Sequence, residues 1–227
     1  MSAWSKGRIL AAALCVAGAG CACAQKAAPA AKTPAAKPSV SAKFLLEYQS
    51  QGNGDVRKDS QFEPLLRRTL PQSKFFGWGL TLAKGIDTFL NVGTGLVTMD
   101  DGRYAVVTGC VAHMCNMDRG LLWVDTQSAP PNVLFVAIDP VDDSQGDTGP
   151  YEVWIYGSQT LHADGDHLAP LPDDFMKQLE DFAGGPMIAS ATFVEPDSTH
   201  ISLSPAQSLH LVPATTSGQP GSAKGTP

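Results

Sequence analysis

Apolar positions recur at two different periods along this chain, and the change between them divides it. Phe62, Leu65, Leu66 and Leu70 return every three or four residues, the spacing of a short helix with one buried face. Ser60-Gln61-Phe62-Glu63 reads as a capping box for it, Pro64 is tolerated in a first turn, and Pro71 stops it. One more helical turn is expected over residues 85–90. From Leu96 the pattern becomes that of strands. Leu96-Val97-Thr98-Met99 and Arg103 to Thr108 flank Asp100-Asp101-Gly102, a hairpin whose Asp-Gly step supplies the positive φ such turns need. Leu121 to Asp125, Val133 to Ile138 and Glu152 to Tyr156 read as three more strands. Pro130-Pro131 and the loop from Pro140 to Pro150 separate them. A second helix is expected from Asp173 to Phe182, with Phe175, Leu179 and Phe182 on one face and Gly184-Gly185 ending it. The expected fold class is α+β: an antiparallel sheet of about five strands with a few short helices packed against it. A Rossmann-type sheet would need strand–helix alternation, which this pattern lacks.

Outside that segment the large apolar side chains run out. Residues 26–42 are almost entirely Ala, Lys, Pro, Ser and Thr, and the chain from Pro213 onward is similar. At the start, Lys6 and Arg8 precede an apolar stretch from Ile9 to Gly20, and Ala22-Cys23-Ala24 offers a cleavage site. The stretch is too short to span a bilayer. The expected organisation is a signal peptide over 1–24, a disordered linker over 25–43, one domain over 44–212 and a disordered tail over 213–227. Cleavage would remove Cys15, Cys21 and Cys23 and leave Cys110 and Cys115, an even pair suited to an oxidising compartment. Lipid attachment at Cys21, through Gly18-Ala19-Gly20-Cys21, is the rival; it lacks the usual larger aliphatic residue and leaves Cys23 over. A soluble periplasmic or secreted protein is the expectation, without stable membrane insertion. Losing Lys6 and Arg8 takes the 16 basic residues to 14 against 22 acidic ones, a net charge near −8. That balance argues against nucleic acid and anionic membranes, and suits either a basic partner or plain solubility.

The candidate chemistry is concentrated in Gly109-Cys110-Val111-Ala112-His113-Met114-Cys115-Asn116, between the run Tyr104 to Val107 and the run Leu121 to Val124. An oxidised Cys110–Cys115 pair would close a small ring at a strand junction and hold His113 outward. Loop-closure entropy then contributes about 2 kcal/mol, and the rigid backbone lowers the ordering cost of binding. Three other readings remain at this point. Cys110, His113 and Cys115 could ligate a metal, though three ligands in six residues strain a tetrahedron. A redox dithiol would normally use C-x-x-C at a helix start. The ring could also be a plain hairpin staple with His113 solvated. No hydrolase, zincin or P-loop signature supports catalysis, and no cofactor is called for. His162 and His167 flank Asp164-Gly165-Asp166 in a polar turn, and Asp139, Asp142, Asp143 and Asp147 lack the EF-hand spacing. Both groups read as solvated. Trp123, Trp154 and Tyr156 read as core.

The run Leu96 to Asp125 resembles the inhibitor of vertebrate lysozyme family of Gram-negative bacteria. The pieces that carry the resemblance are Asp101-Gly102-Arg103-Tyr104, the strand into Cys110, Cys110-x-x-His113-x-Cys115, and Leu121-Leu122-Trp123. Val133 to Asp139 and Val153-Trp154-Ile155-Tyr156 fit as well, so the likeness covers roughly residues 60–160. The family's loop reads Cys-Lys-Pro-His-Asp-Cys; this chain keeps both cysteines and the histidine and departs from it with Val111, Ala112 and Met114 in place of Lys, Pro and Asp. The resemblance implies a non-enzymatic periplasmic inhibitor whose partner is a c-type lysozyme. It also implies a homodimer and a lysozyme-binding loop made of His113 with Val111, Ala112 and Met114. An envelope binding module of the same fold that no longer inhibits lysozyme is the alternative.

Overall fold

The computed structural model describes residues 40–142, 144, 149–161, 169–185, 187–211 and 213. The expected signal peptide, most of the expected linker and tail, and the pair His162 and His167 lie outside them. After a 3-10 helix (Lys43–Tyr48) come α1 (Asn53–Val56), α2 (Phe62–Thr69) and α3 (Leu82–Phe89). The strands β1 (Val92–Gly93), β2 (Thr98–Asp100), β3 (Tyr104–Cys110), β4 (Arg119–Asp125), β5 (Asn132–Pro140) and β6 (Tyr151–Gly157) follow. Then come α4 (Asp173–Ala183), β7 (Ile188–Val194), β8 (His200–Leu203) and α5 (Pro205–Ser208).

The local signals largely form the elements they point to. Asp101 and Gly102 take φ of 51° and 64° in the turn joining β2 to β3. α4 ends on Gly184 in the left-handed conformation and starts with Asp173 and Asp174, whose charge suits the positive end of its dipole. α3 is two turns rather than one, because the Thr81 side chain accepts the Lys84 N–H and starts it earlier. The capping box does not form. Gln61 stands at the N-cap of α2 with no side-chain cap, and Asp59 instead accepts the Gln61 N–H at 2.7 Å.

Two parts of the expected fold class are corrected. The sheet has eight strands among the described residues, not about five, and it is not purely antiparallel. Its order is β1-β3-β4-β5-β6-β7-β8, with β2 also on β3. Through β6 the chain meanders in antiparallel pairs. The segment holding α4 then returns the chain to the end where β6 began, so β7 pairs with β6 in parallel. β8 turns back antiparallel on β7.

Both faces are covered. One core cluster joins the 3-10 helix, α1, α2, α3, Phe75 and Phe76 to Ala105, Val107, Leu122, Val124, Phe135 and Tyr156. The other joins α4 and the segment around α5 to Val106, Leu121, Trp123, Leu134, Val136, Ile155 and Phe193. This explains why the central strands read as unbroken apolar runs: alternate residues face opposite layers, and each layer excludes water. Trp123 and Tyr156 are core residues, as expected; Trp154 is half-buried and stacks on Phe76 at 5.1 Å.

Candidate functional site

The loop over residues 111–118 joins β3 to β4 at one end of the sheet. Its neck continues the ladder by one bond, from Val111 N–H to the Asp118 carbonyl at 3.0 Å. Two turns then fold its backbone. The Met114 N–H donates to Val111 at 3.0 Å, and the Met117 and Asp118 N–H groups both donate to Met114 at 2.8 Å. A disulfide joins Cys110 to Cys115 across a Cα separation of 4.8 Å. Cys110 is fully buried at the end of β3, whereas Cys115 is exposed. The ring is therefore anchored on the core at one sulfur and open to solvent at the other.

His113 is exposed and adopts φ of +68°. A histidine in the left-handed region costs on the order of 1 kcal/mol, held here by the flanking turns and the disulfide. Its imidazole carries one donor and one acceptor when neutral. Val111, Ala112 and Met114 are all half-buried, and Val111 packs against the core on the side of α1–α3. The apolar residues expected at the tip are thus partly taken up by the fold, whereas His113 and Asn116 are exposed. The two sulfurs are bonded to each other, so the thiolates of a metal reading are not there to ligate. Among the described residues no group of three or more His, Cys, Asp and Glu is placed to hold a metal ion. No helix among them is long and apolar enough to cross a membrane.

Four supports beneath the loop were not legible as such in the sequence. Arg119, directly opposite Cys110 in the sheet, donates to the carbonyls of Phe182 and Ala183, both at 3.2 Å. Its guanidinium lies over the Phe182 ring at 5.5 Å, and burial lowers its pKa below the ordinary arginine value. The start of β4 is thereby tied to the C-terminus of α4, where a cation offsets the helix dipole. Tyr151 of β6 donates its hydroxyl to the Asn116 carbonyl at 3.4 Å. Gly109 and Gly120 face each other one residue below Cys110 and Arg119, and the last turn of α3 lies directly on them. A glycine inside a strand is the one local signal that could have announced such a close approach. At the sheet edge, between the short β1 and β2, the Thr108 carbonyl is met by the side-chain amide of buried Asn53.

The geometry is that of a covalently closed turn at the end of a sheet, with His113, Cys115 and Asn116 exposed on it. Residues 87–185 match the family model described as inhibitor of vertebrate lysozyme (Ivy). That stretch runs from the last turn of α3 to the glycines after α4 and contains the whole loop. The resemblance read from the sequence therefore holds for it. No curated protein and no solved structure matches the chain.

Proposed function

We propose that this protein inhibits a c-type lysozyme by inserting His113 into the enzyme's active-site cleft, and that it does so after export to the periplasm. The observation that carries this reading is the exposed imidazole at the tip of a disulfide-closed loop, inside the stretch that matches the inhibitor family. Such an enzyme cuts glycosidic bonds with a protonated and an ionised carboxyl group. An imidazole between them donates to the anion and accepts from the acid, and the loop walls exclude water from the sugar subsite. Charge-assisted bonds in a dry cleft are the strong kind. The protein itself needs no catalytic group or cofactor for this. Its net charge, −6 for the full chain and near −8 without Lys6 and Arg8, draws a basic enzyme in. The family likeness also implies a homodimer, which sedimentation of the purified protein reads directly.

The alternative, an envelope binding module without lysozyme activity, would be favoured by an apolar loop tip, since Val111, Ala112 and Met114 replace the family's Lys, Pro and Asp. With Val111, Ala112 and Met114 half-buried, that support weakens. The test is inhibition of a c-type lysozyme by the parent protein and by His113→Ala. The substitution is expected to cost about 2–4 kcal/mol, roughly 30- to 1000-fold in affinity, as for a central hot spot. An inhibition constant equal to the parent's removes the plug.

A further inference from the structure

Charge is unevenly divided along this molecule. From Lys43 to Leu90, the part that forms the 3-10 helix and α1–α3, seven basic residues stand against five acidic ones. From Asn91 to Leu211 there are three basic residues and seventeen acidic. All three have partners: Arg119 donates to the α4 carbonyls, Arg103 pairs with Asp125, and Lys177 lies 3.9 Å from Asp100. Of the seventeen, Asp143, Asp147, Asp164 and Asp166 lie outside the described residues, and Asp118, Asp125 and Glu195 are buried. The ten others still outnumber the three basic residues, so the sheet and α4 form an acidic part, and the loop belongs to it.

Exposed apolar side chains are unevenly placed too. Five large hydrophobic residues are exposed among the described residues, and three of them lie at the loop end of the sheet. Val92 pairs with Cys110 on the edge strand. Val141 follows the last residue of β5, and Met187 precedes the first residue of β7, which starts at the same end as β6. They are 40 %, 55 % and 42 % exposed, on both sides of the loop. From β1 to β7 is five strand spacings, about 24 Å. One partner's share of a standard interface is about 800 Å², a patch some 28 Å across. Beside Val141 is a hollow of about 630 Å³ walled by Phe76, Trp78, Asp139 and Glu152. Asp139 and Glu152 are opposite each other across β5 and β6. Burial raises the Glu152 carboxyl above its ordinary value, and Asp139 adds to the effect.

We propose that the loop end of the sheet is one docking face, on which Val92, Val141 and Met187 meet the cleft rim of the same basic enzyme that receives His113, with the carboxylates beside Val141 facing its cationic surface. This rests on the inhibitor reading above. Apolar contacts ringing a polar plug exclude water around it, which strengthens the plug's own hydrogen bonds. The acidic surroundings oppose a second copy of the chain and favour a basic protein.

The experiment compares the full chain with V141K, M187K, H113A and L46K for inhibition and association rate against a c-type lysozyme. Leu46 is exposed on the 3-10 helix of the other, more basic part. A lysine at either rim position places a cation against a cationic surface; each is expected to raise the inhibition constant about tenfold and to slow association. L46K should stay within about twofold. All three lysine sites are exposed, so unfolding midpoints should match the parent's. Rim variants as potent as the parent, beside a weakened H113A, overturn the face and leave the plug. A weakened rim beside an unaffected H113A supports the face and overturns the plug. Rim variants that only dissociate a dimer show the face joins two copies, and overturn the proposal. A parent with no affinity for the enzyme overturns both.

Discussion

Replacing Gly120 with alanine isolates the contact on which the loop's foundation stands. A Cβ at Gly120 would lie 2.8 Å from the Phe89 carbonyl oxygen and 3.0 Å from the Phe89 Cβ. At its partner Gly109 a Cβ would lie 2.6 Å from the Leu90 Cα and 3.0 Å from the Val92 carbonyl oxygen. Most of these atoms are backbone at the end of α3 and cannot rotate away, so the helix end must lift off the sheet. Overpacking of this kind costs about 1–3 kcal/mol. Relieving the entropy of a strand glycine returns about 0.5–1 kcal/mol. The net loss is about 1–2 kcal/mol, a fall in Tm of roughly 2–8 °C for a domain of this size. Gly54 in α1 has no neighbour within 4 Å, so Gly54→Ala should be neutral or stabilising by up to about 1 kcal/mol. Thermal and urea unfolding followed by circular dichroism measure both. The double variant Gly109→Ala/Gly120→Ala should lose less than the two single losses together, because one displacement of α3 relieves both clashes. A Gly120→Ala protein as stable as the parent would refute the reasoning, since it would mean that α3 does not press on β3 and β4 as placed.

Two further outcomes follow from the site and its neighbours. Cys110→Ser/Cys115→Ser removes a six-residue ring, and should lower stability by about 2 kcal/mol while weakening lysozyme inhibition; full inhibition by that variant would show the ring is dispensable. Asp125 accepts two bonds from Arg103, at 3.0 and 2.6 Å, and bonds from the Gln127 and Ser128 N–H groups. The Arg103 guanidinium, opposed by burial and helped by those N–H groups, holds its carboxyl below the usual range. The unfolded chain therefore binds the proton more readily, and this stability is present above an unfolded pKa of about 3.9 and lost as pH falls through the lower folded value. Arg103 is 44 % exposed, so the contribution is screened to about 1 kcal/mol or less. Urea midpoints should drop between pH 5 and pH 2, and drop less in Asp125→Asn; an unchanged pH slope in that variant would assign the effect elsewhere.

The elements legible in the sequence are those whose causes are local. The Asp101-Gly102 turn follows from which residues tolerate positive φ, and the end of α4 follows from Gly184 for the same reason. The runs that became β3, β4 and β5 carry enough apolar residues to declare themselves, and the cysteine pair shows where a ring can close. Strand order was not legible, because a partner is chosen by residues far away in sequence. β7 reads Ile-Ala-Ser-Ala-Thr-Phe-Val, with small and polar residues at its centre, and its apolar signal is too weak to announce a strand. It forms because α4 returns the chain to the open edge of β6 and supplies a layer to bury Ala191 and Phe193. The same holds at the loop. The residues named a ring and an imidazole, but the half-burial of Val111, Ala112 and Met114 and the tie from Arg119 to α4 come from packing between distant segments. Periodicity and turn chemistry act over a few residues and are written in order along the chain; contacts between segments exist only once the chain has closed on itself.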